Sequence, residues 1–281
     1  MGDERLLWRA RHVELNLRRP LVMGILNVTP DSFSDGGLHF GDAPAVAHGL
    51  RLVEEGADIL DIGGESTRPG AQPVAVEEEW KRIGRVITEI GRKSDIPISV
   101  DTYKPEVARK AIRAGAVIVN DVRGLRDSEM ARVVANSDAG TVIMHMQGEP
   151  ATMQKHPTYT DVVAEVRTFL ARQMEEAIRQ KVAPEAIVLD PGFGFGKTPA
   201  HNLELLRGLG SLQDLGRPIL VGVSRKSFPQ GTQDRGDARR PEVALATAAI
   251  AILRGANIVR VHDVAETVQY VRMLDGLLHG S

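Results

Sequence analysis

Nine polar residues stand where apolar runs of this chain stop: Asn27, Asp61, Asp101, Asn120, His145, Asp190, Lys226, Arg260 and His262. Their chemistry sorts them into two groups. Asp101, Asn120 and Asp190 offer carboxylate and amide oxygens, which suit a flat heterocycle carrying amino and ring N–H donors. Lys226 could reach a carbonyl or ring nitrogen of the same ring. Arg260 and His262 are two residues apart, so on a strand both point to one side. With Arg68, in the loop Gly63-Gly64-Glu65-Ser66-Thr67-Arg68-Pro69-Gly70, they make a cationic set suited to phosphate or pyrophosphate. A lone Asp after a strand often only caps the next helix. The recurrence at strand after strand is what argues for one shared site.

The elements that must carry these residues are short apolar strands. Leu21–Leu26 ends in Asn27. The same event recurs at Ile59-Leu60-Asp61, Ile98–Asp101, Ile118–Asp121, Val142–His145, Val188–Asp190, Leu220–Ser224 and Ile258–His262. Between them run amphipathic segments that predict helices over 43–55, 76–90, 105–114, 128–137, 161–181, 199–208, 241–254 and 264–278. Gly-Ala-x-Ile appears at Gly56, Gly115 and Gly255, each time a helix stop feeding directly into a strand. Pro105, Pro199 and Pro241 sit where the first turn of a helix tolerates proline. Eight strand-then-helix units over about 260 residues match the number and length of a (β/α)8 TIM barrel. Near-continuous Val, Ile and Leu fit strands buried on both faces. A doubly wound open sheet is the alternative, but the first turn, Asn27-Val28-Thr29-Pro30, is no dinucleotide fingerprint. The expectation is one barrel domain over residues 20–281. Residues 1–19, with alternating Val13, Leu15 and Leu17, form a short hairpin that caps its bottom. In such a barrel all eight strand ends converge on one face.

Composition narrows the function. The chain has 281 residues, 42% of them hydrophobic, with a net charge of −2 and 4% aromatics. That balance offers no field for nucleic acid and little base-stacking surface. Cysteine is absent, which excludes disulfides, thiolate catalysis and thiolate-held metals, and suits a reducing cytoplasm. No apolar run approaches the ~20 residues that span a bilayer. No His-x-His or His-Glu-x-x-His motif is present, so a tight transition-metal site is not expected. Mg²⁺ held by Asn27 and mainly by a substrate's phosphates is compatible, because Mg²⁺ keeps its waters. The run Pro191-Gly192-Phe193-Gly194-Phe195-Gly196-Lys197-Thr198 is close to a P-loop, but proline replaces its first glycine. It reads better as a glycine loop letting backbone approach a ligand, with Phe195 as a ring contact.

Taken together, seven stretches resemble the dihydropteroate synthase family over nearly the whole chain. They are Asn27–Gly36, Asp61–Gly70, Ser99–Thr102, Asn120-Asp121, Asp190–Lys197, Ser224–Ser227 and Arg260–Asp263. The resemblance implies condensation of 6-hydroxymethyl-7,8-dihydropterin pyrophosphate with 4-aminobenzoate, a step of folate synthesis open to sulfonamides, and a homodimer. It implies that Asp101, Asn120, Met144, Asp190, Phe195, Lys226 and Arg260 hold the pterin. Asn27, Arg68, Arg260 and His262 would serve the pyrophosphate, with Asn27 on Mg²⁺. Phe33, Thr67, Arg68, Pro69, Lys226 and Ser227 would frame the aminobenzoate, and Asp101, Lys226 and Asn27 would be catalytic. Pyrophosphate would leave first, in SN1 fashion, with loops 27–39 and 63–73 closing over the site. One stretch departs from the family pattern: Phe228-Pro229-Gln230-Gly231 carries an extra residue and a proline after Ser227. The rival readings are a pterin-dependent methyltransferase domain and a non-catalytic pterin-binding paralogue. For the dimer contact, the Ala-rich 243–249 face competes with plain packing of that face on the barrel.

Overall fold

The computed structural model describes residues 7–29, 42–66, 71–149, 152–224 and 241–279. A two-stranded antiparallel hairpin, β1 (Leu7–Ala10) and β2 (Val13–Asn16), precedes the barrel, with Arg11 at φ 59° in its turn. Eight parallel strands follow: β3 (Leu21–Asn27), β4 (Ile59–Gly63), β5 (Ile98–Asp101), β6 (Ile118–Asp121), β7 (Gly140–Met144), β8 (Ile187–Asp190), β9 (Leu220–Gly222) and β10 (Ile258–Val261). They lie in the order β8-β7-β6-β5-β4-β3-β10-β9. Between β8 and β9 the circle closes through a parallel bridge, Leu189 to Ile219, where Leu189 N–H donates to Pro218 O at 2.9 Å. The fold is therefore a (β/α)8 barrel.

The helices are α1 (Asp42–Glu54), α2 (Val76–Lys93), α3 (Pro105–Ala114), α4 (Ser128–Ser137), α5 (Val162–Arg179), α6 (Pro199–Arg207), α7 (Pro241–Leu253) and α8 (Val264–His279). α3 begins with Pro105 and stops at Gly115, whose left-handed φ of 118° lets its N–H reach back to the last carbonyls. Asp127 and Asp161 cap α4 and α5 with their carboxylates. α2 runs three residues beyond the expected Ile90, to Lys93. Two 3-10 turns, Pro184–Ala186 and Leu209–Leu215, have no counterpart in the sequence reading. None of the described helices is long and apolar enough to cross a membrane.

Strand parity separates the core into two layers. Val22, Leu60, Val100, Val119, Ile143, Leu189, Val221 and Val259 face outward, packing with Ile83, Val86, Ile87 and Ile90 of α2 and its neighbours. The alternate residues Leu21, Met23, Ile59, Ile118, Val142, Val188, Leu220 and Ile258 face inward and fill the barrel bottom. The hairpin seals that end: Trp8, Ala10, Leu15 and Leu17 join the same cluster. Trp8 is fully buried and its indole N–H donates to Ala186 O at 2.8 Å. Two residues further along β4, β6, β7, β8 and β10 the same inward parity reaches Asp61, Asn120, Met144, Asp190 and Arg260, and on β5 it runs from Ser99 to Asp101. The lower barrel thus fixes which side chains enter its mouth.

Candidate active site

Above the apolar plug, four strands contribute a buried polar floor. Arg260 on β10 donates from Nε to Asp61 Oδ2 (2.6 Å) and from Nη2 to Asp101 Oδ2 (2.7 Å). Asn120 Nδ2 donates to the same Asp61 oxygen at 3.0 Å. Register supports the assembly: Asp61 lies beside Ser99, Gly63 beside Asp101, and Asp101 beside Asn120. Two carboxylates around one guanidinium leave surplus negative charge in a confined space. Burial, then Asp61 and other nearby acids, push the Asp101 carboxyl up to about 7, against the pull of Arg260. Asp61 Oδ1, Asp101 Oδ1 and Ser99 Oγ have no hydrogen-bond partner among the described residues. A buried acceptor left open at a strand end is suited to a ligand donor.

Asp190 takes part differently. Its Oδ1 accepts the N–H of Gly192 at 2.7 Å, which shapes the glycine loop after β8. Gly192 has φ +68°, and a Cβ there would lie 1.9 Å from His145 O; at Gly196 it would lie 2.4 Å from Gln147 O. The glycines are therefore required by close backbone approach as well as by left-handed geometry. Lys197, buried under this loop, donates to His145 Nδ1 (2.9 Å), Gly192 O (2.9 Å) and Phe195 O (3.1 Å). Three acceptors match the three ammonium hydrogens. Lys197 is thus a pin for the loop, its ammonium turned in to His145 and the loop carbonyls. Burial, then Lys197 and Arg126, drive His145 down to about 2, so its imidazole stays neutral as an acceptor. Met144 and Phe195 pack with Val122, Met146, Met153 and Tyr103, an apolar wall beside the polar floor.

A second polar group forms at the mouth on β3, β9 and β10. Asn27 Nδ2 stands 3.5 Å from His262 Nε2, and Ser224 Oγ stands 3.1 Å from His262 Nδ1. Ser224 also accepts the His262 backbone N–H at 3.3 Å. Among the described residues no three His, Asp or Glu side chains cluster as a metal site. Asn27 remains a single, half-buried oxygen donor there.

The pterin binding enzyme family model matches residues 23–262. The Escherichia coli K12 dihydropteroate synthase is 46% identical over 269 residues, covering 96% of this chain and 95% of that protein. The Xanthomonas albilineans dihydropteroate synthase, solved with 4-aminobenzoic acid, superposes with a TM-score of 0.89 at 46% identity, covering 98% of this chain and 99% of that one. The same enzyme in complex with 7,8-dihydropteroate gives 0.88 at 43% identity, covering 97% and 99%. The Yersinia pestis enzyme in a sulfonamide drug complex gives 0.89 at 40%, covering 98% and 100%. This chain belongs to the pterin-binding enzymes, as a dihydropteroate synthase. Members of that family are transferases of folate biosynthesis that move the pterin group.

Of the residues the sequence assigned to the synthase site, Asp101, Asn120 and Arg260 come together in one hydrogen-bonded floor. Asp190, Met144 and Phe195 border it, and Asn27 and His262 pair at the mouth. Arg260 faces Asp61 and Asp101 and is hydrogen-bonded to neither Asn27 nor His262. Phe33, Thr67, Arg68, Pro69, Lys226 and Ser227 lie outside the described residues, as do the Phe228–Gly231 departure, residues 30–39 of loop 27–39 and residues 67–70 of loop 63–73. Helix capping does not account for Asp101, since α3 is preceded by Lys104 without a side-chain cap. Asp121 is purely local: its oxygens accept the N–H groups of Arg123 (2.8 Å) and Leu125 (2.9 Å). Four participants carried no assigned role in the sequence reading: Asp61, Ser99, Glu65 and Lys104. Glu65 accepts Val74 N–H at 3.0 Å and Tyr103 O–H at 2.7 Å, and pairs with Lys104, which also pairs with Glu79. The two ends of the β4–α2 loop are thereby tied together.

Proposed function

We propose that the barrel mouth joins 6-hydroxymethyl-7,8-dihydropterin pyrophosphate to 4-aminobenzoate, releasing pyrophosphate and leaving 7,8-dihydropteroate. The observation that carries this is the open acceptor on Asp101 beside Asn120 and Asp190, walled by Met144 and Phe195. That arrangement matches a planar ring with a donor-rich edge. Pyrophosphate leaves first, taking the electron pair of the C–O bond, and the pterin methylene becomes a cation delocalised into the ring. Asp101 supplies negative charge at that ring. The aminobenzoate nitrogen then forms the C–N bond and sheds its proton to solvent. An arylamine is neutral at pH 7, so no general base is required.

Asn27 and His262 face the departing pyrophosphate, with Arg68 and Arg260 as its cationic neighbours. Phe33, Thr67, Arg68, Pro69, Lys226 and Ser227 frame the aminobenzoate, and Lys226 also reaches the pterin. The same pocket accepts sulfonamides. Asn27 Oδ1 fits a hard cation held chiefly by phosphate oxygens and water. When bound, Mg²⁺ neutralises charge on the leaving group.

The hairpin over 1–19 serves as a seal for the barrel over 20–281. A cysteine-free chain fits work in a reducing cytoplasm. The dimer reading is supported by Ile250 and Leu253 on α7 and Tyr270, Met273 and Leu277 on α8, all exposed. Within the 243–249 stretch, Leu245 and Ala248 are buried and Ala246 is exposed.

The deciding experiment is pyrophosphate release from the pterin substrate at saturating Mg²⁺, with and without 4-aminobenzoate. Turnover that requires both is expected. Pterin binding without release would overturn the synthase reading.

A further inference from the structure

Asp61 stands apart from the other acids of the mouth. It is fully buried, whereas Asp101 keeps a small exposed surface. Its Oδ2 receives two donors from strands on opposite sides of β4: Arg260 Nε from β10 and Asn120 Nδ2 from β6. A carboxylate only accepts, so the Asn120 amide must turn its NH2 toward Asp61. Its carbonyl is then the end left for a ligand. Likewise, Arg260 is held by Asp61 through Nε and by Asp101 through Nη2, which fixes the plane of the guanidinium. If a ligand engages Asp101, Asp61 still holds the arginine.

We propose that Asp61 is a positioning residue that sets the hydrogen-bond polarity of the site: it forces Asn120 to present an acceptor and holds Arg260 in plane. The ligand class this selects is a fused heterocycle whose facing edge carries N–H or NH2 donors, against an analogue with a carbonyl there. This rests on the pterin reading above and deepens it. Asp61 touches no ligand itself; it acts through Asn120 and Arg260.

The test uses the full chain and two probes, 6-hydroxymethylpterin and its 2-oxo analogue, each titrated calorimetrically. Wild type binds the amino probe more tightly. In Asp61→Asn the amide of residue 61 can itself donate, so Asn120 is free to turn. Affinity for the amino probe is expected to fall roughly tenfold, and discrimination against the oxo probe roughly fivefold. KM for 4-aminobenzoate stays within about twofold. Combining Asp61→Asn with Asn120→Ala adds no further loss of discrimination, because both remove one interaction. Equal loss of affinity for both probes, or additive effects in the double variant, would overturn the proposal. A measurement on wild type covers the case where Asp61→Asn does not fold. The Asn120 side-chain amide protons should stay protected from solvent exchange before and after the amino probe is added. Their exposure on binding would equally overturn the role of Asp61. If wild type binds neither probe, it is the pterin reading that fails.

Discussion

Two buried clusters in this molecule share a formula, two carboxylates around one cation, and differ in what they leave open. In the barrel mouth Asp61 and Asp101 share Arg260; behind the strands Glu65 and Glu79 share Lys104. The outer cluster is assembled from loops and α2, and Glu65 is completed by Tyr103 O–H and Val74 N–H. The inner cluster is assembled from strand ends, and each of its acids keeps one oxygen without a partner among the described residues. Glu79 also keeps one open oxygen, but it lies against the helix layer, where burial raises its pKa. The cations differ in kind. Lysine is a compact point charge joining two acids, while the planar arginine fork bonds each acid along a fixed direction. A buried ion cluster is therefore scaffold or site according to where its unused hydrogen-bonding capacity points, rather than by its composition.

The largest expected effect comes from Arg260→Met. It strips both inner acids of their counterion, and breaking a buried pair costs roughly 3–5 kcal/mol. Turnover should fall by at least about 100-fold, and Lys at the same position should not restore it, because it lacks the fork. Activity near wild type in Arg260→Lys would break the distinction between the two cations. Lys104→Met should cost a similar roughly 3–5 kcal/mol by denaturant unfolding. Its kcat, per folded molecule, should stay within about threefold. A collapse in kcat would make the outer cluster part of the site.

The third expectation concerns pH. Asp101 titrates near 7 in the folded chain, above the ordinary carboxylate range, because of burial first and then Asp61. The folded state therefore holds a proton that the unfolded chain releases. The resulting stability is complete at acid pH and is lost as pH rises through about 7. Affinity for a donor-edged pterin should move the opposite way, rising over the same range as the acceptor forms. Calorimetric titrations and chemical unfolding at pH 6 and 8 would show the two curves crossing; parallel curves would remove Asp101 from the binding edge. The smallest effect is Glu79→Gln. Glu79 is one of the acids that raise Asp101, so its neutralisation should lower the binding midpoint slightly. It is a measurable link between the two clusters.

Much of this was legible in the sequence. Each strand shows as an apolar run that stops at a polar residue, and the helices show by their 3.6-residue spacing and their Pro and Gly ends. Asn120 and Asp190 could be read because each follows an inward-facing apolar residue two positions earlier, and Asp101 because it ends the apolar-rich run Ile98–Val100. The pairing of Arg260 with Asp61 was not legible. These residues sit on strands separated by β3, and no local pattern reports a contact across a neighbour. A usable signal did exist: a lone Asp inside Ile59-Leu60-Asp61-Ile62 must be buried, and a buried carboxylate needs a cation. The place of Lys197 was not legible either: the P-loop reading fell on Pro191, but Gly-x-Gly-x-Gly-Lys looks alike whether the lysine turns out to a phosphate or in to His145. The short 3-10 turns escaped because they lack enough residues to show a period.

The Trp8 contact with Ala186 also bears on the order in which the chain can be completed. The two residues are 178 apart, and at about 5–20 residues per second the ribosome needs roughly 10–35 s to deliver the second after the first. The hairpin is thus made early, and the carbonyl that its indole N–H needs arrives only with the turn before β8. β10, which closes the circle against β3, arrives later still. The seal of this barrel is among its first parts to be synthesised and among the last to be seated.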